Sequence, residues 1–436
     1  MKLFDLSLKL NGYKIDTAKR ILHTIQEIQE GDYKRYIDKK KHEIVNYHLN
    51  NNRFYHDFTR GIDMSAWEHV PVMTKQDLQL PLPQRLSNGF TTKNVYINKT
   101  SGSSGEPFVF AKDKFCHALT WAEIQDRFGW FGLDFNSSKQ ARFYGIPLDK
   151  KHLYKERIKD FFSHRFRFSV FDLSDVALEK VLERFQKTRF DYINGYTSAI
   201  VQFAKFLKTK NIVLKDVCPS LKVCITTAEM LFDSDKTLLE KQLGVSIINE
   251  YGASELDLIA FQNPHNKWQI NSETLLVEIL GPDNTVLPPG QEGRIVITSL
   301  YNTAHPFIRY DIGDIGSLSK DSSSKTPFLE TLLGRTNDTV VLPSGKTAAG
   351  LTFYYITKTV VEDDGNVREF IIEQHAKDRF KIKYVSAQKL TEEKIKSIKK
   401  EMEHYLESGL NITFERKTSL DRSKRGKLKQ FKSFLK

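Results

Sequence analysis

The amino-acid sequence predicts an α/β protein: a large N-terminal domain of mixed sheets covered by helices plus a barrel-like β subdomain, followed by a small α+β C-terminal domain. Helical periodicity at 175–188 and 198–209 alternates with short buried-strand patterns, which is typical of helices packed on a mixed or parallel sheet. After Trp268, strand patterns are separated by turn residues. After Gly334, a few strand patterns and one helical pattern form a separate group.

The length of the chain sets the domain organisation. A chain of 436 residues exceeds what one hydrophobic core usually supports, so we expect at least two domains. Hydrophobic residues make up 40% and charged residues 28%, proportions that favour a globular protein over a disordered or fibrous one. We predict an N-terminal domain over 1–334 and a C-terminal domain over 335–436. The first comprises an entry segment rich in helices and loops (1–90), an α/β core (91–265) and a β-rich subdomain (266–334).

The elements of the large domain follow from local patterns. Residues 14–30 have apolar side chains on one helical face, and Gly31 is predicted to end this helix. A connection rich in proline and polar residues follows at 71–83. A helix is predicted to start near Asp113, which can cap it. Buried strands are predicted at 108–111, 191–194, 221–226 and 245–249.

The last hundred residues contain enough elements for a compact α+β domain. We predict strands at 338–342, 368–374, 379–385 and 411–415 and a helix at 390–407. The final 22 residues hold nine Lys or Arg side chains. A solvated basic run is the simpler interpretation of this tail, and nucleic-acid binding is the alternative, although no recognition motif accompanies the charge.

Charge and cysteine content limit the classes of protein. The net charge of +12 suits nucleotides, acidic substrates, nucleic acid or an anionic membrane surface, without choosing among them. The three cysteines are scattered, which favours neither a disulfide framework nor a zinc site. The N-terminus does not have the pattern of a signal peptide, and no stretch approaches the roughly 20 apolar residues of a membrane span. We therefore predict a cytoplasmic protein without a transmembrane segment.

A serine- and glycine-rich segment is the first motif with chemical content. It comprises Thr100, Ser101, Gly102, Ser103, Ser104 and Gly105. Its glycines permit tight turns, and its hydroxyls and backbone N–H groups can surround a polyphosphate. No Gly-Lys-Ser/Thr follows, so the segment is not an ordinary P-loop. A flexible linker is the alternative interpretation.

Two further motifs place polar groups after strands. In Asn249-Glu250-Tyr251-Gly252-Ala253-Ser254-Glu255, the Tyr251 ring can cover a base and the Glu255 carboxylate can hold Mg²⁺. In Arg309-Tyr310-Asp311-Ile312-Gly313-Asp314, the last aspartate can accept both hydroxyls of a ribose. Ordinary turns are the alternative interpretation of both motifs.

The remaining two motifs lie near the C-terminal domain. Leu333-Gly334-Arg335-Thr336-Asn337-Asp338 stands where the composition changes, as expected of a hinge. Arg425-Gly426-Lys427-Leu428-Lys429 lies within the basic tail.

In their order and spacing, the five motifs together resemble those of the adenylate-forming superfamily of acyl-CoA synthetases, peptide-synthetase adenylation domains and luciferases. Within it, the chain is most similar to the phenylacetate-CoA ligase branch, which includes CapK-like capsule-biosynthesis proteins. The resemblance covers roughly residue 95 to the C-terminus. It implies an enzyme that activates a carboxylic acid as an acyl adenylate, with ATP and Mg²⁺ as cofactors and with 335–436 as a mobile lid.

The resemblance also implies roles for single residues. Thr100 to Gly105 cradle the ATP phosphates, with Thr100 beside the metal, and Tyr251 stacks on adenine. Glu255 binds Mg²⁺, Asp314 holds the ribose, and Arg335 contacts ribose or phosphate. Lys427 reaches the substrate carboxylate and the α-phosphate, so the resemblance makes Lys427, Glu255 and Arg335 catalytic. The nucleotide-binding set is completed by Thr227, Ala228, Glu229, Glu250, Gly252, Ala253 and Ser254.

The acyl acceptor and the acid stay open at the level of sequence. CoA is the acceptor that phenylacetate-type ligases imply, and an amine or hydroxyl, for example on a sugar of a surface polysaccharide, is the alternative. Thr227 replaces a glycine of the family pattern, and Asn337 stands where the family has an aspartate hinge. Tyr144 to Pro147 and Asn194 to Ser198 resemble segments that line the acyl pocket. We expect no nucleic-acid partner and leave a homodimer open.

Overall fold

The computed structural model describes residues 2–99, 108–145, 150–335, 339–345, 347–349, 367–422, 428 and 431–435. The chain divides into two compact units. One comprises Met1–Ile312 and Gly316–Thr331, and the other comprises Gly313–Ile315 and Leu332–Lys436. Among the described residues, no helix combines the length and apolar character needed to cross a membrane. The rotation of 335–436 as a lid stays a prediction.

Helices of 4 to 22 residues form most of the N-terminal segment. The predicted helix at 14–30 exists as α2, but it ends at Glu27, and the prediction that Gly31 ends it is wrong. Ile28 leaves the helical conformation (φ −57°, ψ 128°), and Gly31 lies in the first turn of the next helix, where glycine is tolerated. The helices are α1 (Leu3–Leu10), α2 (Ile15–Glu27), α3 (Glu30–Asn51), α4 (Arg53–Phe58) and α5 (Leu82–Arg85).

Among the described residues, eleven strands form one mixed sheet, most of which lies in the first unit. Their order is β10-β11-β12-β13-β9-β8-β7-β6-β5-β3-β4, and the segment from β4 to β7 is parallel. The strands are β3 (Gln140–Phe143), β4 (Arg165–Phe168), β5 (Tyr192–Tyr196), β6 (Val223–Thr227), β7 (Ser246–Ala253), β8 (Asp257–Gln262), β9 (Trp268–Ile270), β10 (Leu275–Leu280), β11 (Gly293–Ser299), β12 (Tyr310–Leu318) and β13 (Phe328–Arg335). A separate antiparallel pair precedes them, β1 (Tyr96–Lys99) and β2 (Val109–Lys112).

Helices pack on the parallel part of the sheet, as the alternating pattern predicts. The Asp113 carboxylate accepts the N–H groups of Phe115 and Cys116 at 2.9 and 2.8 Å, so it caps α6 as expected. Buried side chains from α8, α9 and the parallel strands form one core cluster. The helices are α6 (Lys114–Gly129), α7 (Lys150–Phe162), α8 (Asp175–Lys187), α9 (Thr197–Thr209), α10 (Leu214–Val217) and α11 (Asp233–Leu243).

The β-rich region after Trp268 continues the same sheet. Strand β9 pairs with β8 on one side and with β13 on the other, both antiparallel. The strands expected as a subdomain therefore extend the parallel part of the sheet, and the pairs β7–β8, β8–β9, β9–β13 and β10–β11 are antiparallel. The mixed α/β class is confirmed, with solved structures of the same fold reported below.

The second unit has its own sheet and core. Strand β18 pairs parallel with β17, and β19 pairs parallel with β16. Its helix packs Ile398 and Met402 into a core with Phe370 and Ile382. The elements are β14 (Thr339–Val341), β15 (Thr347–Ala349), β16 (Val367–Gln374), β17 (Arg379–Ser386), α12 (Glu392–Tyr405), β18 (Asn411–Lys417) and β19 (Phe431–Ser433).

Candidate active site

Where the parallel pairing of β5, β6 and β7 ends, three polar side chains lie in one row. Tyr196 pairs with Thr227, and Thr227 pairs with Glu250 across neighbouring parallel strands. In open α/β sheets, ligands bind at this edge. Two of the predicted nucleotide-binding residues, Thr227 and Glu250, therefore lie side by side where such a site is expected.

A polar cluster surrounds Glu250. Its carboxyl is hydrogen-bonded with Thr227 and lies near the Arg142 charge. Burial raises the pKa of Glu250 above its usual value, and the Thr227 hydrogen bond and the Arg142 charge oppose that shift. The Arg142 guanidinium lies 4.1 Å from the centre of the Tyr144 ring, which packs against Tyr196 at 4.4 Å. This cluster can hold a polar group of a ligand through hydrogen bonds and charge.

The turn after β6 directs Glu229 towards helix α9. Ala228 adopts the left-handed region (φ 66°), which is costly for a residue with a Cβ atom and marks a constrained turn. The Glu229 carboxylate then accepts the Ser198 backbone N–H at 2.7 Å. It lies at the N-terminus of α9, where a negative charge is favourable. The structure gives Glu229 this positioning role, and a nucleotide contact for Glu229 stays a prediction.

Strand β7 is longer than the sequence predicted. Instead of ending near Asn249, it continues to Ala253, because β8 folds back and pairs with Glu250 to Ala253. A bulge separates Tyr251 from Gly252. A Cβ atom on Gly252 would lie 2.3 Å from the Asp257 carbonyl oxygen, so this close approach requires glycine. Ala253 and Ser254 thus lie at the tip of a hairpin rather than in an open loop.

The hairpin holds Glu255 in a buried position. Its carboxylate oxygen Oε1 accepts the Tyr310 hydroxyl at 3.0 Å, and the side chain is 6% exposed. Tyr310 is the second residue of the third motif, and no role was predicted for it from the sequence. The partners are 55 residues apart, and no local pattern in the sequence signals such a pair.

An ion pair connects this hairpin to the strand that follows the serine-glycine segment. The Lys112 ammonium contacts the Asp257 carboxylate, and Lys112 is buried. Strand β1 ends at Lys99, just before that segment, and β2 begins at Val109, a few residues after it. Lys99 and Val109 are paired across the two strands. Val109 is three residues from Lys112, or about 10 Å along a strand. Strand β2 therefore contacts both Lys99, which precedes the segment, and the Glu255 hairpin. No motif in the sequence indicates the Lys112–Asp257 pair.

Tyr251 and the start of β12 are packed into the fold. The Tyr251 ring is buried and meets Trp268 edge to face at 6.5 Å. The Arg309 guanidinium donates to the carbonyl oxygens of Glu68 and Val70 at 3.0 and 2.8 Å. Arg309 thereby anchors the strand that carries Asp314, which is itself buried.

Several predicted site residues lie outside the described residues. They are Thr100, Ser101, Gly102, Ser103, Ser104, Gly105, Asn337 and Lys427. Arg335 ends strand β13, and its side chain is not described. The convergence of all five motifs on one nucleotide stays a prediction.

The chain is similar in sequence to two curated proteins and similar in fold to solved structures of ligases. No family model matches it. It is 21% identical over 355 residues to protein CapK of Staphylococcus aureus, covering 77% of this chain and 76% of that protein. It is 24% identical over 313 residues to the phenylacetate-coenzyme A ligase of Pseudomonas putida, covering 69% of each.

Solved structures of ligases have the same fold. A 2-hydroxyisobutyryl-CoA ligase in the postadenylation state, in complex with 2-HIB-AMP, superposes with a TM-score of 0.70 at 15% identity, over 91% of this chain and 88% of that chain. The amide bond synthetase McbA from Marinactinospora thermotolerans gives 0.54 at 15% identity, over 80% and 70%.

The chain is similar in sequence and fold to the adenylate-forming superfamily, in the phenylacetate-CoA ligase and CapK branch, as its motifs predicted. It is accordingly an enzyme of the adenylate-forming ligase kind. Its general chemistry is activation of an acid followed by acyl transfer.

An adenylate-forming ligase acts on ATP, and the Glu255 carboxylate is a fitting ligand for the magnesium ion that accompanies it. Mg²⁺ usually takes one or two carboxylates together with substrate phosphates rather than a cage built only of protein ligands. The part of the chain that the structure describes contains no cluster of three or more metal-ligating side chains. A single buried carboxylate, oriented by the Tyr310 hydroxyl, matches the sparse ligand set that Mg²⁺ prefers beside a polyphosphate.

Proposed function

We propose that this chain converts a carboxylic acid and ATP into an acyl adenylate and pyrophosphate, and then transfers the acyl group to CoA. The observation that carries the proposal is the placement of Glu255. Its carboxylate is buried and hydrogen-bonded by Tyr310. The Lys112–Asp257 pair joins its hairpin to the strand next to the serine-glycine segment.

The adenylation step needs positive charge at the reacting phosphate. A carboxylate that attacks the α-phosphorus brings two anions together while pyrophosphate leaves, and preorganised donors commonly supply about 3 kcal/mol each against that repulsion. The proposed donors are the backbone N–H groups of Thr100 to Gly105 and the ammonium of Lys427. The Glu255 carboxylate would hold Mg²⁺, which supplies Lewis-acid stabilisation of the phosphate oxygens when it is bound.

The remaining nucleotide contacts are assigned from the edge of the sheet and from the β12 and β13 strands. We assign adenine to the region of Tyr251 and to the Thr227–Ala228 turn, and ribose to Asp314 with Arg335. The constrained turn at Ala228 and the Arg309 hydrogen bonds support these assignments, because both fix backbone next to the proposed contacts.

CoA is the favoured acceptor. The P. putida relative is named a phenylacetate-coenzyme A ligase, and the 2-hydroxyisobutyryl-CoA ligase was solved in complex with 2-HIB-AMP and CoA. An amine or hydroxyl acceptor in capsule or surface-polysaccharide biosynthesis is the second candidate. The similarity to CapK favours it, because that match covers more of the chain than the match to the P. putida ligase.

A pyrophosphate-release screen tests both steps. The purified chain would be assayed with ATP and Mg²⁺ against aryl, fatty, hydroxy and amino acids, with and without CoA. We expect acid-dependent pyrophosphate release with one class of acid and a CoA thioester detected by mass spectrometry. A stable acyl adenylate that reacts with amines or sugars but not with CoA would favour the second acceptor. The absence of acid-dependent release across the panel would contradict the proposed function.

The lid and the basic tail need separate tests. We propose that 335–436 adopts one orientation for adenylation and another for transfer, with rotation near Asn337. Engineered disulfides that trap each orientation should each retain only one half-reaction, and equal activity in both would contradict the lid. A salt-dependent shift with RNA or DNA in the absence of ATP would instead favour nucleic-acid binding by the tail.

A further inference from the structure

Helix α7 directs its acidic side chains towards the protein. Glu156 and Asp160, one helical turn apart, receive the Arg167 guanidinium at 2.6 and 2.9 Å. Asp160 also pairs with Arg165. Both arginines lie on β4, the last strand in the order of the sheet. The polar face of α7 is thus the face that packs on the protein.

The opposite face of α7 is apolar and exposed. Tyr154, Ile158 and Phe161 are spaced by four and three residues, which places them on one side of a helix. Tyr154 is 68% and Phe161 69% exposed, and Ile158 is exposed as well. A surface helix normally buries its apolar face and exposes its charges, so α7 is inverted relative to that rule. Phe171, in the connection after β4, adds a further exposed ring.

Cationic groups accompany this apolar face. Arg157 and Lys159 are exposed on α7. The Lys159 ammonium lies 2.7 Å from the Glu156 carboxylate, which Arg167 also contacts. Four cationic side chains, Arg157, Lys159, Arg165 and Arg167, therefore stand against the two carboxylates Glu156 and Asp160. The resulting surface, the α7 surface, consists of Tyr154, Ile158, Phe161 and Phe171 together with Arg157 and Lys159.

We propose that the α7 surface docks on an anionic lipid bilayer. Exposed aromatic and aliphatic side chains beside Lys and Arg are the combination that binds a helix in the interface plane of a membrane, with the apolar side chains at the head-group boundary and the cations near the phosphates. The net charge of +12 acts in the same direction.

A second copy of the chain fits the surface less well. A two-fold interface places the same patch on both subunits, so the excess positive charge of one copy would face that of the other. Like charges brought together are unfavourable, whereas anionic head groups neutralise them. Docking on lipid does not depend on the acid-activating reaction, because α7 contributes none of the proposed catalytic residues.

Vesicle sedimentation tests this docking. The full chain would be mixed with vesicles of phosphatidylcholine alone and of phosphatidylcholine with phosphatidylglycerol. We expect binding to the mixed vesicles that weakens with salt. The variant Y154S/F161S should reduce the partition coefficient on the order of 10- to 100-fold, because it removes two apolar anchors. R157E should cause a smaller loss and a weaker dependence on salt.

A matched control distinguishes binding through α7 from nonspecific binding through any exposed apolar side chain. Val176 and Val286 are exposed by 69% and 50% elsewhere on the large unit, so V176S/V286S should bind vesicles like the native chain. Circular dichroism and thermal melts should show that all variants fold alike. The absence of native binding to mixed vesicles would overturn the proposal. Binding that survives Y154S/F161S would also overturn it and would assign lipid binding to another region, such as the basic tail. A concentration-dependent dimer that Y154S/F161S abolishes, without vesicle binding, would show that a second copy occupies the surface.

Discussion

Replacing Glu255 with glutamine removes one negative charge from the proposed magnesium site and keeps the size of the side chain. The Tyr310 hydroxyl, now 3.0 Å from Oε1, can still donate to the amide oxygen. The β7–β8 hairpin also keeps the Lys112–Asp257 pair. The substitution therefore tests the charge at this position with little change in its surroundings.

The expected effects on stability and on rate follow from the changed Tyr310 hydrogen bond and from the lost metal ligand. The hydrogen bond from Tyr310 changes from a charged to a neutral acceptor, which costs about 1 kcal/mol of folding stability. The proposed metal contact loses its anionic ligand, and the loss of a charge-stabilising contact in a transition state is worth about 3 kcal/mol, or about 100-fold in rate. The rate of pyrophosphate release should thus fall much more than the free energy of unfolding.

The assay is acid-dependent pyrophosphate release at saturating ATP, with the acid identified in the screen, accompanied by a thermal melt. Glu255→Gln should release pyrophosphate on the order of 100-fold more slowly and melt close to the native chain. Tyr310→Phe is the matched control, because it removes the hydrogen bond and keeps the carboxylate, and we expect a loss of about tenfold or less. A Glu255→Gln variant with the native rate would refute the role of this carboxylate.

Three further outcomes are expected. Lys427→Ala should retain ATP binding by calorimetry and lose pyrophosphate release by about 100-fold, as expected of a cation that acts mainly in the transition state. Gly252→Ala should destabilise the large unit by about 1 to 3 kcal/mol in urea unfolding, because its Cβ atom would lie 2.3 Å from the Asp257 carbonyl oxygen. Burial, together with the Glu273 charge, raises the pKa of Glu123 well above its usual value. The Arg127 charge and the Thr274 hydrogen bonds lower this pKa but only partly offset the rise. The folded state then keeps a proton that the unfolded state releases, so stability falls as pH rises above the usual glutamate pKa. Glu123→Gln should remove much of the fall in stability that sets in above the usual glutamate pKa.

Each of these outcomes has its own check. Lys427→Arg keeps the charge and should recover part of the rate, whereas a fully active Lys427→Ala would remove this residue from the mechanism. Gly129→Ala is the control for Gly252, since no atom lies within 4 Å of its added Cβ, and it should be neutral or stabilising by up to about 1 kcal/mol. Equal pH dependence in the native chain and in Glu123→Gln would show that Glu123 is not the group responsible.

Local patterns were sufficient for the elements that carry the candidate site. The buried runs before Thr227 and Glu250 predicted β6 and β7, because apolar side chains of strand length between turn signals have few other stable arrangements. The Asp113 cap was predicted for the same kind of reason, since its hydrogen bonds reach only two and three residues along the chain. Predictions of this type depend on neighbours in sequence.

Other features depend on partners far along the chain. The extension of β7 to Ala253 requires β8 to fold back on it. Lys112 and Asp257 are 145 residues apart. The end of α2 at Glu27 was missed for a local reason, because a glycine that can stop a helix can equally lie in the first turn of the next one.

Residue types, their order and their spacing along the chain thus establish the α/β class, most of the strands and helices, and the motifs that identify the superfamily. The folded molecule adds what spacing cannot contain: the Tyr310 hydroxyl on Glu255, the Glu229 carboxylate at the start of α9, and the inverted orientation of α7 on the arginines of β4. The physical reason is that secondary structure follows from interactions over a few residues. The hydrogen bonds and ion pairs of the site arise only when the sheet brings distant side chains within about 3 Å of one another.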